Sequence, residues 1–232
     1  GRLLAAHLKE KLGQPVVVEN IAGAGATIGT LQLSRAAPDG YTFMVGGNTT
    51  HSAAKSLVKT VSYDPINDFT PIARIGKLPT LLATNPMQPF KTIQGLVDFA
   101  RNNPGKLNYG HGNALGQIMG ETLKKKLNLD ITRVPYASNP PAIVHLVSNE
   151  IQLMIPDMLS ALPQIHVGRM VPLAVGESTR STLLPDTPTI DETVIKGFQV
   201  LPWFGIYGPR DVPPKIVDRL AGALQQVTSD PK

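Results

Sequence analysis

Apolar residues recur along the whole chain at spacings that alternate between helix and strand. Leu4, Leu8 and Leu12 repeat every four residues and predict a first helix, which Gly13 ends. Strands are predicted at 16–19, 41–45, 81–84, 107–109, 131–134, 151–155, 171–175 and 204–207, and further helices at 27–36, 92–102, 116–127, 140–148, 158–167 and 213–227. This alternation indicates an α/β fold in which mostly parallel sheets are flanked by helices.

The predicted loops at the carboxyl ends of the strands are the places where such folds bind ligands. Five of them share a composition rich in Gly, Asn, Ser, Thr and Ala, and they cover 20–27, 46–52, 110–116, 137–140 and 156–160. Together they contain no Lys or Arg and a single acid, Asp157. A site built from these loops would hold an anion by backbone N–H groups, hydroxyls and helix dipoles.

The first of these loops follows the pattern strand, glycine turn, helix. Glycines permit a tight turn, and the first amides of the following helix point at whatever lies there. A dinucleotide could also bind at this loop, through Gly23, Gly25 and Gly29. A dinucleotide site, however, needs an acidic residue at the end of the next strand, and no Asp or Glu occurs between Tyr41 and Ser62. A nucleotide-dependent α/β enzyme and a turn without any ligand remain as alternatives.

Composition excludes several other functions. The 232 residues carry a net charge of +5, but the basic residues are dispersed, and the one run, Lys124–Lys126, falls late in a predicted helix, where cations suit the helix dipole. Nucleic acid is therefore not expected as a partner. The chain has no Cys, no apolar run long enough to span a membrane and no signal-peptide pattern at its start. No catalytic motif occurs, so we assign no catalytic residue, metal or cofactor.

Three titratable residues lie in the candidate loops. His51 and His111 each follow a predicted strand, although a lone histidine is usually structural. Asp157 comes directly after the strand that ends at Ile155 and Pro156. It could cap the next helix, or it could meet a ligand's ammonium or hydroxyl group. These two roles for Asp157 stay open at the level of sequence.

A series of short motifs occurs in order over the whole chain, at 17–20, 23–25, 28–29, 37–42, 68–73, 134–136, 141–142, 160–163, 173–175 and 184–189. In these motifs the sequence resembles the Bug family of periplasmic binding proteins, which are the substrate-binding components of tripartite tricarboxylate transporters. The resemblance implies a two-lobed, type II clamshell in the periplasm. It also implies capture of a small carboxylate, such as a dicarboxylate, a tricarboxylate or an acidic amino acid, for uptake or sensing.

The resemblance and the loop composition together define a set of candidate binding residues. These are Gly23, Ala24, Gly25, Ala26, Thr27, Asn48, Thr49, Thr50, Gly110, His111, Asn113, Ala137, Ser138 and Asp157. We expect one lobe to comprise residues 1–77 and 197–232, and the other residues 78–196. We also expect a monomer, with transporter subunits in the membrane as the possible partners.

The sequence departs from the family pattern in the loop 110–116, which is shorter than usual, and at Gln117, Ala137 and Ser138. These departures leave the identity of the carboxylate open. Family members also have a first strand and a glycine loop before the helix at which this chain begins. We therefore expect that strand to be missing, leaving the strand 16–19 with an unpaired side.

Overall fold

A computed structural model describes residues 1–21, 23, 26–58, 60–200 and 202–229. Its elements in chain order are α1 (Arg2–Leu12), α2 (Thr27–Ser34), β1 (Met44–Gly47), α3 (Ala54–Leu57), β2 (Phe69–Gly76), β3 (Leu81–Thr84), α4 (Ile93–Asn102), β4 (Leu107–His111), α5 (Ala114–Leu127), β5 (Ile131–Pro135), α6 (Asn139–Val147), β6 (Leu153–Met154), α7 (Met158–His166), β7 (Val171–Val175), α8 (Ile190–Thr193), β8 (Phe204–Pro209) and α9 (Pro214–Thr228). Within these ranges, no helix is both long and apolar enough to cross a membrane.

The chain divides into two compact units. Unit 1 comprises Gly1–Lys77 and Trp203–Lys232, and unit 2 comprises Leu78–Pro202. The sequence placed the second crossing near residue 196. The division falls later because Phe198 and Val200 are buried in the core of unit 2, where the Val200 amide also donates a hydrogen bond to the Gly176 carbonyl at 2.8 Å.

Unit 1 is built on a three-stranded sheet in the order β1–β8–β2, and β8 pairs antiparallel with both neighbours. Helices α1 and α9 pack together beside this sheet. The apolar stripe of α1 meets the core through Leu8, which is 1 % exposed, with Leu4 and Leu12 packed at the margin. The stripe predicted from the sequence therefore faces the core.

Unit 2 contains a five-stranded sheet in the order β5–β4–β6–β3–β7. Strand β4 runs parallel to β5 and β6, whereas β3 pairs antiparallel with β6 and β7. Helices α5, α6 and α7 begin directly after β4, β5 and β6. Because those three strands are parallel neighbours, the three helices start at the same edge of the sheet.

The structure corrects the sequence-based prediction at several points, and it adds strand β2, which the sequence did not predict. Between the described strands, parallel pairing is found only among β4, β5 and β6, because β3 runs antiparallel to both of its neighbours in unit 2 and β8 runs antiparallel to both of its neighbours in unit 1. Residues 16–19 are not a strand: no described strand pairs with them, and Val17 is 81 % exposed. Strand β1 begins at Met44, three residues later than predicted.

Candidate functional site

In unit 1, helix α2 begins without a side-chain cap. Ala26 precedes it in the left-handed conformation, with φ of 70°, and its amide donates to the Gly23 carbonyl at 2.9 Å. Gly23 has φ of 129°, where a side chain is strained, and a Cβ there would lie 2.5 Å from Cδ1 of Ile28. Both Gly23 and Ala26 are exposed, and Thr27 is half-buried. Ala24 and Gly25 of the predicted site lie outside the described residues.

The second predicted group of unit 1 is the turn after β1. The Asn48 Oδ1 atom accepts a hydrogen bond from the Trp203 amide at 3.0 Å. Thr50 is buried: its Oγ1 accepts from the Gly47 amide at 3.0 Å, and its carbonyl accepts from the Tyr63 hydroxyl at 2.8 Å. Thr49 between them is half-buried. Asn48 and Thr50 thus hold the turn in place. The side of the turn that carries Thr49 is partly exposed to solvent.

In unit 2, helix α5 is the best candidate for holding an anion. The Asn113 side chain caps it by accepting from the Gly116 amide at 2.8 Å, and the Asn113 carbonyl accepts from Gln117 at 3.2 Å. The amides of Ala114 and Leu115 donate no hydrogen bond to any residue that the structure describes. Two unused amides therefore point outward from the first turn of a 14-residue helix.

Helix α6 starts beside α5 but offers fewer donors. Pro140 and Pro141 in its first turn have no amide hydrogen. Ala137 and Ser138 before it are exposed, and the Ser138 side chain makes no capping hydrogen bond. The turn before α6 packs against the turn after β4, since a Cβ on Gly112 would lie 2.2 Å from the carbonyl carbon of Ser138.

Two of the first amides of helix α7 are already bonded. Asp157 caps it: Oδ1 accepts from the Ser160 amide at 2.9 Å, and Oδ2 accepts from the Ser160 hydroxyl at 2.7 Å and from Asn139 Nδ2 at 2.5 Å. The Met158 amide donates to the Pro79 carbonyl at 2.8 Å. Of the two roles left open for Asp157, the helix cap is therefore the one that these contacts support.

His111 is 6 % exposed and lies beside the start of α5. Its Nδ1 is 3.1 Å from the Asn113 carbonyl, and because a carbonyl can only accept, Nδ1 carries the hydrogen. Burial lowers the pKa of His111, so the ring is neutral near pH 7. Its Nε2 is buried without a partner among the described residues. Gly110, one residue earlier, is also buried, and its carbonyl accepts from the Ile155 amide at 3.0 Å.

Comparison with known proteins decides the family. Residues 1–232 match the model of the tripartite tricarboxylate transporter family receptor. The chain belongs to this family. Members of the family are periplasmic solute-binding proteins and not enzymes, so the alternative of a nucleotide-dependent enzyme is not favoured, and the resemblance to the Bug proteins is confirmed.

Individual receptors of this family agree in sequence and fold. Protein BugT of Bordetella pertussis is 34 % identical over 220 residues, which cover 93 % of this chain and 67 % of BugT. The periplasmic binding protein BugD is 34 % identical with a TM-score of 0.90, over 99 % of this chain and 77 % of BugD. MatC from Rhodopseudomonas palustris with bound malate is 32 % identical with a TM-score of 0.90, over 99 % of this chain and 79 % of MatC.

These likenesses confirm the predicted α/β fold of the periplasmic binding protein type. The chain spans about two thirds of the length of the curated receptor BugT.

Proposed function

We propose that the protein captures a small carboxylate, namely a dicarboxylate, a tricarboxylate or an acidic amino acid, for uptake through a tripartite tricarboxylate-type transporter or for sensing. The observation that carries the proposal is the start of α5, where the amides of Ala114 and Leu115 have no partner among the described residues. A carboxylate suits such amides, because the helix dipole places partial positive charge there. Malate, a dicarboxylate, is bound by the relative MatC.

The charge of the candidate loops supports the same ligand class. None of the five loops contains Lys or Arg, so a large polyanion would find no guanidinium or ammonium partner there. A small carboxylate does not need a cationic partner, since each of its oxygens can accept one or two hydrogen bonds from amides or hydroxyls. In unit 1, the uncapped start of α2 and the half-buried Thr49 offer groups of that kind.

We propose a second role for Asp157, as a ligand contact. A carboxylate has about four lone-pair sites, and the contacts above use three of those on Asp157. Its side chain is half-buried rather than enclosed. We propose that the remaining site accepts from a hydroxyl or ammonium group of the ligand, which would favour hydroxy or amino acids over plain dicarboxylates.

Calorimetry and thermal unfolding with malate, adipate, citrate and glutamate test the ligand class. A carboxylate present at 100 times its dissociation constant should raise the free energy of unfolding by about 2.7 kcal/mol. A nicotinamide dinucleotide is the comparison ligand. Stabilisation by the dinucleotide and by none of the carboxylates would contradict the proposal.

A matched pair of variants tests the place of binding. Asn113→Asp and Thr92→Asp each add one negative charge at an N-cap, and Asp caps a helix as well as Asn or Thr. Both should therefore fold with similar stability. Only Asn113→Asp puts the charge beside the amides of Ala114 and Leu115, so only that variant should lose carboxylate affinity, by about tenfold or more. Equal affinities for the two variants would move the site away from α5.

We propose further that the protein is a monomer whose two units act as the lobes predicted from the sequence. Sedimentation velocity tests the monomeric state, since a dimer would sediment faster at the concentrations used for binding.

Two fragments test whether unit 2 is an independent lobe. Residues 78–202 should unfold cooperatively, whereas 78–196 should be less stable because it lacks the buried Phe198 and Val200. Failure of both fragments to fold would contradict an independent lobe.

A further inference from the structure

His51 lies in the turn after β1 and is enclosed by aromatic rings. It is 8 % exposed and lies stacked on Tyr207, with ring centroids 3.9 Å apart and planes inclined by 25°. Phe69 meets it edge-on with a centroid distance of 5.1 Å, and Trp203 does so at 6.1 Å. Gly46 leaves the space that the ring needs, because a Cβ there would lie 2.7 Å from Cε1 of His51. The side chain is therefore held in one orientation.

The two nitrogens of this ring have different surroundings. Nδ1 is 2.8 Å from Oγ1 of Thr50, whereas Nε2 is buried and has no partner among the described residues. Thr50 Oγ1 also accepts from the Gly47 amide at 3.0 Å and lies 3.2 Å from the Gly47 carbonyl. The threonine hydroxyl has a single hydrogen, which can go either to that carbonyl or to Nδ1.

The unpartnered Nε2 distinguishes these two arrangements. If the hydroxyl donates to Nδ1, the hydrogen of the neutral ring must be on Nε2, which leaves a buried N–H without an acceptor. If Nδ1–H donates to Thr50, then Nε2 is a bare lone pair. Orphaned N–H donors are rarer in proteins than under-used acceptors, which favours the second arrangement.

We infer that His51 is a positioning residue: as the neutral Nδ1–H tautomer it donates to Thr50 Oγ1 and turns the threonine hydroxyl onto the Gly47 carbonyl. The Gly47 amide and carbonyl are then both bonded to Thr50, and the turn that carries Asn48 and Thr49 has one conformation. The inference rests on the proposed function in one respect, that this turn contributes to carboxylate binding.

The environment keeps the ring in the neutral form that this arrangement needs. Burial lowers the pKa of His51 to about 4. The aromatic neighbours supply contact area but no acceptor at Nε2 among the described residues. The histidine therefore acts through its Nδ1 and its flat shape, and not as a cation.

Three substitutions separate the parts of the side chain. His51→Asn places an amide nitrogen where Nδ1 was, His51→Gln places one where Nε2 was, and His51→Phe keeps a flat ring without hydrogen bonds. All three should lower the melting temperature. We expect His51→Asn to keep malate affinity within threefold of the parent, and His51→Gln and His51→Phe to lose tenfold or more. On a Thr50→Val background, the difference between Asn and Phe should vanish.

Two results would overturn the inference. Affinity kept by His51→Gln and lost by His51→Asn would mean that Nε2 makes the important contact. Affinity losses that simply follow the melting temperature in all three variants would mean that His51 only fills space.

A ligand-free measurement separates this inference from the proposed function. Nitrogen-15 NMR of the histidine rings should show the Nδ1–H tautomer for His51, and the Gly47 amide should exchange faster in His51→Phe than in His51→Asn. If no carboxylate binds the parent protein, the proposed function fails, while these two readouts still decide the role of His51. An Nε2–H tautomer of His51 would contradict its role as a positioning residue.

Discussion

The main-chain amide of Trp203 donates a hydrogen bond to Oδ1 of Asn48 at 3.0 Å, across 155 positions of sequence. Asn48 follows β1, and Trp203 directly precedes β8, which pairs with β1. The side chain therefore fixes the turn after β1 to the start of the neighbouring strand. A residue that the sequence suggested as a ligand contact is also a structural tie.

Substitution at Asn48 should separate stability from binding. Asn48→Asp keeps the oxygen that accepts from Trp203, so its free energy of unfolding should change by less than about 0.5 kcal/mol, whereas Asn48→Ala should lose about 1–2 kcal/mol. The added charge in Asn48→Asp should still weaken malate binding several-fold, because like charges repel. Urea unfolding and calorimetry on the same samples measure both. Unchanged affinity in Asn48→Asp would place the carboxylate away from this turn.

Stability should fall when the pH is lowered from about 6.5 to about 4. The pKa of His51 is about 4 in the folded protein and near 6.5 when unfolded, so the unfolded state binds more protons in this window. The stabilisation from the neutral ring is complete above pH 6.5 and is lost as the pH falls towards 4. A pKa difference of this size between the folded and unfolded states corresponds to about 3 kcal/mol. The lowered pKa of His111 acts in the same direction.

The control for this pH dependence is His51→Asn, measured by urea unfolding at pH 7 and pH 4.5. The difference between the parent and the variant should shrink at the lower pH, because only the parent must keep its ring unprotonated. Asp64, whose pKa is lowered to about 2, changes its contribution only below about pH 4 and does not interfere. Parallel stability curves for the two proteins would show that His51 is not buried in the neutral form.

Gly112 and Gly222 should respond to alanine in opposite directions. A Cβ on Gly112 would meet backbone atoms of Ser138 and Asn139 at 2.2 and 2.3 Å, which cannot move without shifting the turn before α6. We expect Gly112→Ala to cost about 1–3 kcal/mol or more. Gly222 lies inside α9 with no atom within 4 Å of the new methyl, so Gly222→Ala should add about 0.5–1 kcal/mol. Thermal unfolding of both variants checks the pair, and a stable Gly112→Ala would show that the two turns are not tightly packed.

Asp157→Asn should fold better than Asp157→Ala. The asparagine oxygen can still accept from the Ser160 amide, and its new amide group can donate to the unpartnered Oδ1 of Asn139 if that side chain rotates. The alanine variant loses the cap and should be destabilised by about 1–2 kcal/mol.

Ligand affinity in Asp157→Asn tests the proposed second role. Glutamate or malate should bind more weakly by about 1.5–3 kcal/mol, the value of a hydrogen bond to a charged group, while adipate is unaffected. If all three ligands keep their affinity, Asp157 is only a helix cap.

Local signals in the sequence were sufficient for many elements of the fold. Thr92 marks the start of α4, and its side chain does accept from the Gly95 amide at 3.1 Å. Helix α1 and strands β3 and β7 have the predicted bounds. In each case the pattern is set by neighbours within a few residues, which is the information that periodicity and capping rules use.

Elements that depend on distant partners were harder to predict. Pro71 obscured β2, since proline is unusual in strands, and the structure accommodates it beside a register shift against β8. For the site, the sequence indicated the loops, but it could not show that the Met158 amide is bonded to Pro79 or that Asp157 holds Asn139. These contacts join separate parts of unit 2, and they decide which amides remain available. The individual ligand contacts among the candidate residues stay predictions.

Pro140 and Pro141 have a consequence for how an anion is guided. Three helices open at one edge of the unit 2 sheet, and all three would attract negative charge if their first turns were alike. The prolines of α6 remove two donors, and in α7 the amides of Met158 and Ser160 are already bonded to Pro79 and Asp157, so that of these three first turns the α5 end has the most unused amides. If the protein captures a carboxylate as proposed, the missing donors would keep that anion from binding at α6 and α7, and discrimination would come from donors withheld as much as from donors supplied.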